Sequence, residues 1–198
     1  MTHIKYHTEA IVLGGVSSQE ASKFLELLTR DFGLIYAYAR GVREISSKLR
    51  YSLQDFSHSH IDLVESVYGW KITSAQYITN FISEQNAAEL GHIKMATQIA
   101  VLLKRLMKGE EKNETLFTHV RDGFVFLKQN RLTDLELKNF EALLVMRILH
   151  DLGYWGEHKE HSYFLDDSSS FQILLPKMEQ KKSLVIREIN KSLKETQL

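Results

Sequence analysis

Up to about residue 81 the apolar positions fall in short runs that alternate with polar ones between Gly, Ser and Asp. Beyond residue 83 they recur every three or four residues. Period two marks a half-buried strand and a period near 3.6 an amphipathic helix, so the chain reads as strands followed by helices. Strands are expected at residues 8–13, closed by Gly14 and Gly15; at 24–29; at 34–39, entered through Asp31-Phe32-Gly33 and stopped by Gly41; at 57–67; and at 70–77, across Tyr68 and Gly69. Short strands packed this densely suit a small barrel better than an open sheet.

In residues 84–108, Leu90, Ile93, Ile99, Leu102, Leu103 and Leu106 make one stripe, and Gly109 stands where a helix stops. Residues 114–130 carry Leu116, Phe117, Val120, Phe124 and Leu127 on one face. Thr133-Asp134-Leu135-Glu136 has the pattern of a capping box, followed by Leu137, Phe140, Leu144, Ile148 and Leu149, with Gly153 as the residue after the C-cap. In the tail a short hairpin is expected around residues 166–170, then a basic helix over about 177–194 that Pro176 starts. The expected organisation is α+β, with a barrel domain over residues 1–82 and a helical domain over 83–198.

The chain has 198 residues, enough for one such module of each kind. Hydrophobic residues at 43% and charged residues at 25% exclude a disordered chain. Lys+Arg and Asp+Glu number 25 each, so any face for a polyanion must be a local patch. The absence of cysteine removes disulfides, cysteine zinc sites, iron–sulfur clusters and thiol nucleophiles together. No run approaches the roughly 18 apolar residues of a membrane span. The first residues lack the apolar stretch of a secretory signal, and a cytoplasmic protein is expected.

No phosphate-binding glycine loop continues from Gly14-Gly15, which reads as a turn, and no Gly-x-Ser-x-Gly elbow occurs. His158 and His161 stand three apart with His150 as the nearest third, a spacing expected of exposed loop histidines rather than of a metal site. More informative is the segment from Arg40 to Arg50. It holds Arg40, Arg43, Lys48 and Arg50 against Glu44, with Gly41 to turn the backbone and Ser47 to donate to a phosphate oxygen. It follows a strand bearing Tyr36 and Tyr38, one of which is expected to face the core while the other can stack a base. A second basic run, Lys177, Lys181, Lys182, Arg187, Lys191 and Lys194 against Glu179 and Glu188, reads as a solvated helix face.

Five segments in this order carry a resemblance. They are Thr8-Glu9-Ala10-Ile11-Val12-Leu13; Leu27-Leu28-Thr29-Arg30 with Phe32-Gly33-Leu34-Ile35; Ala37-x-Ala39-Arg40-Gly41-Val42-Arg43; Ser47-Lys48-Leu49-Arg50; and Leu53-Gln54-Asp55-Phe56. Together with Ser74-Ala75 and Leu149-x-x-Leu152-Gly153-Tyr154, they make the chain resemble the bacterial RecO DNA repair proteins. The resemblance implies an N-terminal OB-fold, a helical domain, and a non-enzymatic recombination mediator without cofactor. Such a protein is cytoplasmic and nucleoid-associated, binds single- and double-stranded DNA, anneals complementary strands and works with a RecR-like partner. It helps a RecA-type recombinase displace single-strand-binding protein, whose acidic C-terminal tail docks on the helical domain.

The family's basic loop maps onto Arg40, Gly41 and Arg43, and its following basic positions onto Lys48 and Arg50. Lys104, Arg105, Lys138 and Arg147 are the candidates for gripping the acidic tail. Many members carry a four-cysteine zinc module after the Leu-Gly-Tyr signature; here residues 155–171 are short and hold no cysteine, so no zinc is expected. Two other readings remain: an adaptor that tethers single-strand-binding protein without touching DNA, and a metal-dependent hydrolase using His158 and His161.

Overall fold

The computed structural model describes residues 4–18, 21–67, 69–82, 90–156, 159–166 and 169–196. Two compact units divide the chain. One is Met1–Gln85 with Lys108–Phe117; the other is Asn86–Met107 with Thr118–Leu198.

The first unit is a barrel of β1 (Lys5–Ser18), β2 (Ser22–Thr29), β3 (Gly33–Ala39), β4 (Ser57–Ser66) and β5 (Gly69–Asn80), with the one-turn helix α1 (Leu49–Ser52) between β3 and β4. Its closed order, β1-β2-β3-β5-β4, is that of an OB-fold. Alternate residues of all five strands point inward, and Val12, Leu25, Leu27, Ile35, Ala37, Ile61, Leu63 and Ile72 form the core.

Gly14 and Gly15 do not close β1, contrary to the turn expected there. The strand runs on to Ser18, pairing with β4 through residues 5–11 and with β2 through residues 10–18, and its register shifts between Val12 and Gly14. A strand shared by two neighbours must bend, and a bulge next to glycine supplies the bend. At Gly15 a Cβ would stand 2.5 Å from the Phe24 carbonyl oxygen, so the close approach of β1 to β2 requires glycine.

Residues 108–117 were expected with the helices and instead cluster with the barrel. Glu114 pairs with Arg30, which also holds Glu9 at 3.2 Å. Lys112 donates to Asp31 at 3.0 Å, and Trp70 Nε1 donates to Glu110 at 2.9 Å. A Cβ on Gly33 would overlap the Glu111 carbonyl. Polar pairing across long sequence separation therefore decides where this segment lies. Its apolar residues Leu116 and Phe117, both fully buried, belong to the stripe that the sequence assigns to the next helix, and residues 108–113 carry no stripe at all.

The second unit holds α2 (Leu90–Leu106), α4 (Asp134–Asp151), α5 (Phe171–Glu195), a 3₁₀ turn (Lys159–Phe164) and most of α3 (Glu114–Gln129). α4 starts in a complete capping box: Thr133 Oγ1 accepts from Glu136 N–H and the Glu136 carboxylate accepts from Thr133 N–H. It ends before Gly153, whose φ of 75° is in the left-handed region. Phe126, Phe140 and Phe171 meet with ring centroids 4.9–5.4 Å apart.

Two expectations in the tail are corrected. The hairpin expected around residues 166–170 has no strands on either side among the described residues, since a 3₁₀ helix ends at Phe164 and a helix begins at Phe171, and residues 167 and 168 lie outside those described. α5 begins at Phe171, and Pro176 lies inside it rather than at its start. Burial of Phe171, Leu174 and Leu175 extends the helix N-terminally past the proline, outweighing the amide hydrogen bond that proline cannot make.

Candidate nucleic-acid interface

Lys23 pairs with Ala39, and Trp70 pairs with Ala37. The end of β1, the start of β2, the segment after β3, the end of β4 and the start of β5 therefore gather at one end of the barrel. The segment after β3 is folded tightly: Gly41, at φ 62°, accepts from Glu44 N–H, Ser47 N–H donates to Glu44 and Arg50 N–H to Ser47. Two further bonds fasten it to β2 and the residue before it, from Gly41 N–H to Ser22 Oγ and from Arg43 N–H to the Ala21 carbonyl.

Val42 and Leu53 enter the barrel core, with Leu49 packed against it. With these three apolar side chains inward, the charged residues of the segment are turned out, while Ser52 is buried. Arg40, Arg43, Lys48 and Arg50 are all exposed, and among the described residues no carboxylate forms an ion pair with any of them. Ser47 is half-buried. The four cations thus sit on one short anchored segment.

Tyr36 and Tyr38 lie two apart on β3 and so share a face. Neither occupies the core, which corrects the expectation that one would; Ile35, Ala37 and Ala39 fill those inward positions. Tyr36 is 58% exposed and Tyr38 half-buried. Phe24, opposite Tyr38 on β2, is 43% exposed, with its ring centroid 5.1 Å from that of Tyr38. Val16 stands opposite Phe24, and Lys71 opposite Tyr38. Phe24 and Lys71 escaped the sequence reading because the signal that finds them, cross-strand register, is a property of the folded sheet.

In the helical unit the candidate tail-binding residues separate. Lys138 and Arg105 are exposed and Lys104 half-buried, whereas Arg147 is 4% exposed. Arg147 donates to the carbonyls of Phe164 at 3.0 Å and Asp166 at 3.2 Å, and its guanidinium lies 5.0 Å from the Phe171 ring centroid. It organises the chain ahead of α5 and offers nothing to a partner. Lys138 instead borders a groove of about 370 Å³ between α2, α4 and α5, lined by Ile99, Leu102, Val145, Ile186 and Leu193 with Lys182. His158, and the side chain of His161, lie outside the described residues. Among the described residues no group of three or more His, Asp or Glu is placed to hold a metal ion, and no helix is long and apolar enough to cross a membrane.

Barrel topology and helical companion together define an OB-fold protein with an α-helical second unit. Residues 1–81 match the family described as Recombination protein O N terminal. The chain is 30% identical over 155 residues to a DNA repair protein RecO of Dehalococcoides mccartyi, covering 78% of this chain and 59% of that one. It is 30% identical over 152 residues to the DNA repair protein RecO of Heliobacterium modesticaldum, covering 77% and 53%. For that of Thermodesulfovibrio yellowstonii the figures are 28% over 155 residues, 78% and 60%. Residues 1–81 thus belong to the Recombination protein O N-terminal family, and the chain is similar to RecO DNA repair proteins, spanning about three-fifths or less of the length of these curated relatives.

Proposed function

We propose that this chain is a recombination mediator that binds single- and double-stranded DNA through the barrel, anneals complementary strands and helps load recombinase onto DNA coated with single-strand-binding protein. The observation that carries the reading is the set Arg40, Arg43, Lys48 and Arg50, exposed and without a carboxylate partner among the described residues. Cations that hold no internal partner exchange only water and counterions for phosphates, and screening phosphates lets two strands approach. The reading requires no cofactor, metal or turnover chemistry. A RecR-like protein is the proposed co-mediator, and the setting is the bacterial cytoplasm, at the nucleoid.

Fluorescence anisotropy with a labelled oligonucleotide tests the loop. Exchanging Arg43 and Lys48 for glutamate should abolish binding, and binding by the unmodified chain should weaken steeply with salt; unchanged affinity in the double variant removes the loop from the account.

The groove between α2, α4 and α5 favours a role for the helical unit as well. Its lysines, Lys138 and Lys182, against Glu141 suit the acidic C-terminal tail of single-strand-binding protein. An adaptor that tethers this protein without touching DNA is the second reading. A gel shift separates the two, because an adaptor leaves a naked oligonucleotide unshifted until its protein partner is added.

A further inference from the structure

We propose that Phe24, with Tyr36 and Tyr38, forms a base-stacking platform on the outer wall of the barrel, and that this platform makes the interface prefer single strands over duplex. The inference rests on the DNA-binding reading above and adds to it a residue and a discrimination. Three observations carry it. Phe24 and Tyr38 are direct cross-strand partners with ring centroids 5.1 Å apart, and Tyr36 follows two residues along β3, so three aromatic side chains share one face of adjacent strands. Phe24 and Tyr36 remain 43% and 58% exposed, although an aromatic ring gains from burial and the core has inward positions next to each. Cations flank the rings: Lys71 is the β5 partner of Tyr38, and Arg40 follows two residues after Tyr38 at the end of β3.

The occupant follows from geometry and charge. The Phe24 and Tyr38 rings are tilted 50° to each other, so Phe24 and Tyr36, the more exposed of the three, are the ones that can offer a face to a base. In a duplex both faces of each internal base are already covered by its neighbours, whereas a single strand can turn bases outward onto the rings while its phosphates track the cations. Glu26, opposite Tyr36, is the carboxylate on this face and bounds the track on that side. Stacking is indifferent to base identity, so the platform is expected to bind without sequence preference.

The test uses the full chain in anisotropy titrations against oligothymidine and against a blunt duplex at one salt concentration. Phe24→Ala should weaken single-strand binding about tenfold while leaving duplex binding within about twofold, and Phe24→Trp should retain both. Arg43→Glu should weaken both. If Arg43→Glu weakens both but Phe24→Ala weakens neither, the loop reading stands and the platform is overturned. Equal losses on both substrates in Phe24→Ala also overturn it, since the ring then only supports the loop. An unmodified chain that binds neither substrate removes the reading and the platform together. Should Phe24→Ala fail to fold, Tyr36→Ala makes the same comparison. Photocrosslinking from iodouracil in the oligonucleotide should map to the peptides bearing Phe24 or Tyr36; a crosslink confined to the helical unit overturns the proposal.

Discussion

The backbone N–H of Arg43 donates to the carbonyl of Ala21 at 2.9 Å, fixing the cation-bearing loop to the strand entrance that leads to Phe24. That bond depends on the turn made at Gly41, whose φ is 62°.

Gly41→Ala should therefore cost about 1–2 kcal/mol of barrel stability, the price of a left-handed conformation at a residue with a Cβ. The added carbon would also stand 3.0 Å from Glu44 Oε1, displacing that side chain. Chemical denaturation reads the first effect. A parallel fall in oligonucleotide affinity reads the loss of loop geometry, while affinity preserved at reduced stability would show that DNA tolerates a remodelled turn.

The segment at 108–117 should come loose in acid. Thr8 Oγ1 and Lys112 hold the Asp31 carboxyl below its ordinary range, and hydrogen bonding and charge from Arg30 do the same to Glu114. A carboxyl depressed by folding contributes its full stabilisation above its unfolded value, 4.5 for glutamate, and loses it as the pH falls through the lower folded value. Amide exchange of residues 108–117 should thus be pH-insensitive in its protection above about pH 5 and lose protection below about pH 4. Glu114→Gln should flatten part of that transition. Both carboxyls are partly exposed, so solvent screens them and the change is local rather than global.

Arg147→Met should destabilise the helical unit by about 3 kcal/mol, because the Phe164 and Asp166 carbonyls would lose their donor in a buried site. Arg147→Lys should rescue little, since an ammonium cannot reproduce the planar fork that also lies over Phe171. Melting of both variants checks this. Binding of an acidic peptide by whatever protein remains folded should be unchanged, and should instead respond to Lys138→Glu.

Thr133→Ala should cost about 1 kcal/mol by opening the capping box of α4. The Glu136 carboxyl is held below its ordinary range first by the Thr133 backbone N–H and then by its hydroxyl, so in that variant, which keeps the N–H, it should rise only part of the way back. Carboxyl titration by NMR checks the second effect.

Much of this architecture was readable before any coordinates. Short apolar runs set between Gly, Ser and Asp indicated each strand of the barrel, with clear alternation in residues 34–39, the Thr133 capping box and Gly153 bounded α4, and charge alone singled out Arg40, Arg43, Lys48 and Arg50. These features are local: each depends on residues within a few positions of one another, where backbone preference and side-chain spacing act directly.

Tertiary structure decided what depends on residues far apart. β1 continues through Gly14 and Gly15 because two different strands pair with it. Pro176 stays inside α5 because buried side chains ahead of it are worth more than one missing hydrogen bond. Residues 108–117 join the barrel through Arg30 and Asp31, some 80 positions away. Arg147 looks like surface charge in the sequence and is buried, because the carbonyls that satisfy it belong to the chain leading into α5. The aromatic row of Phe24, Tyr36 and Tyr38 exists only once β2 and β3 are in register. Composition and spacing name the cations that could meet a phosphate; only pairing between distant strands places rings beside them.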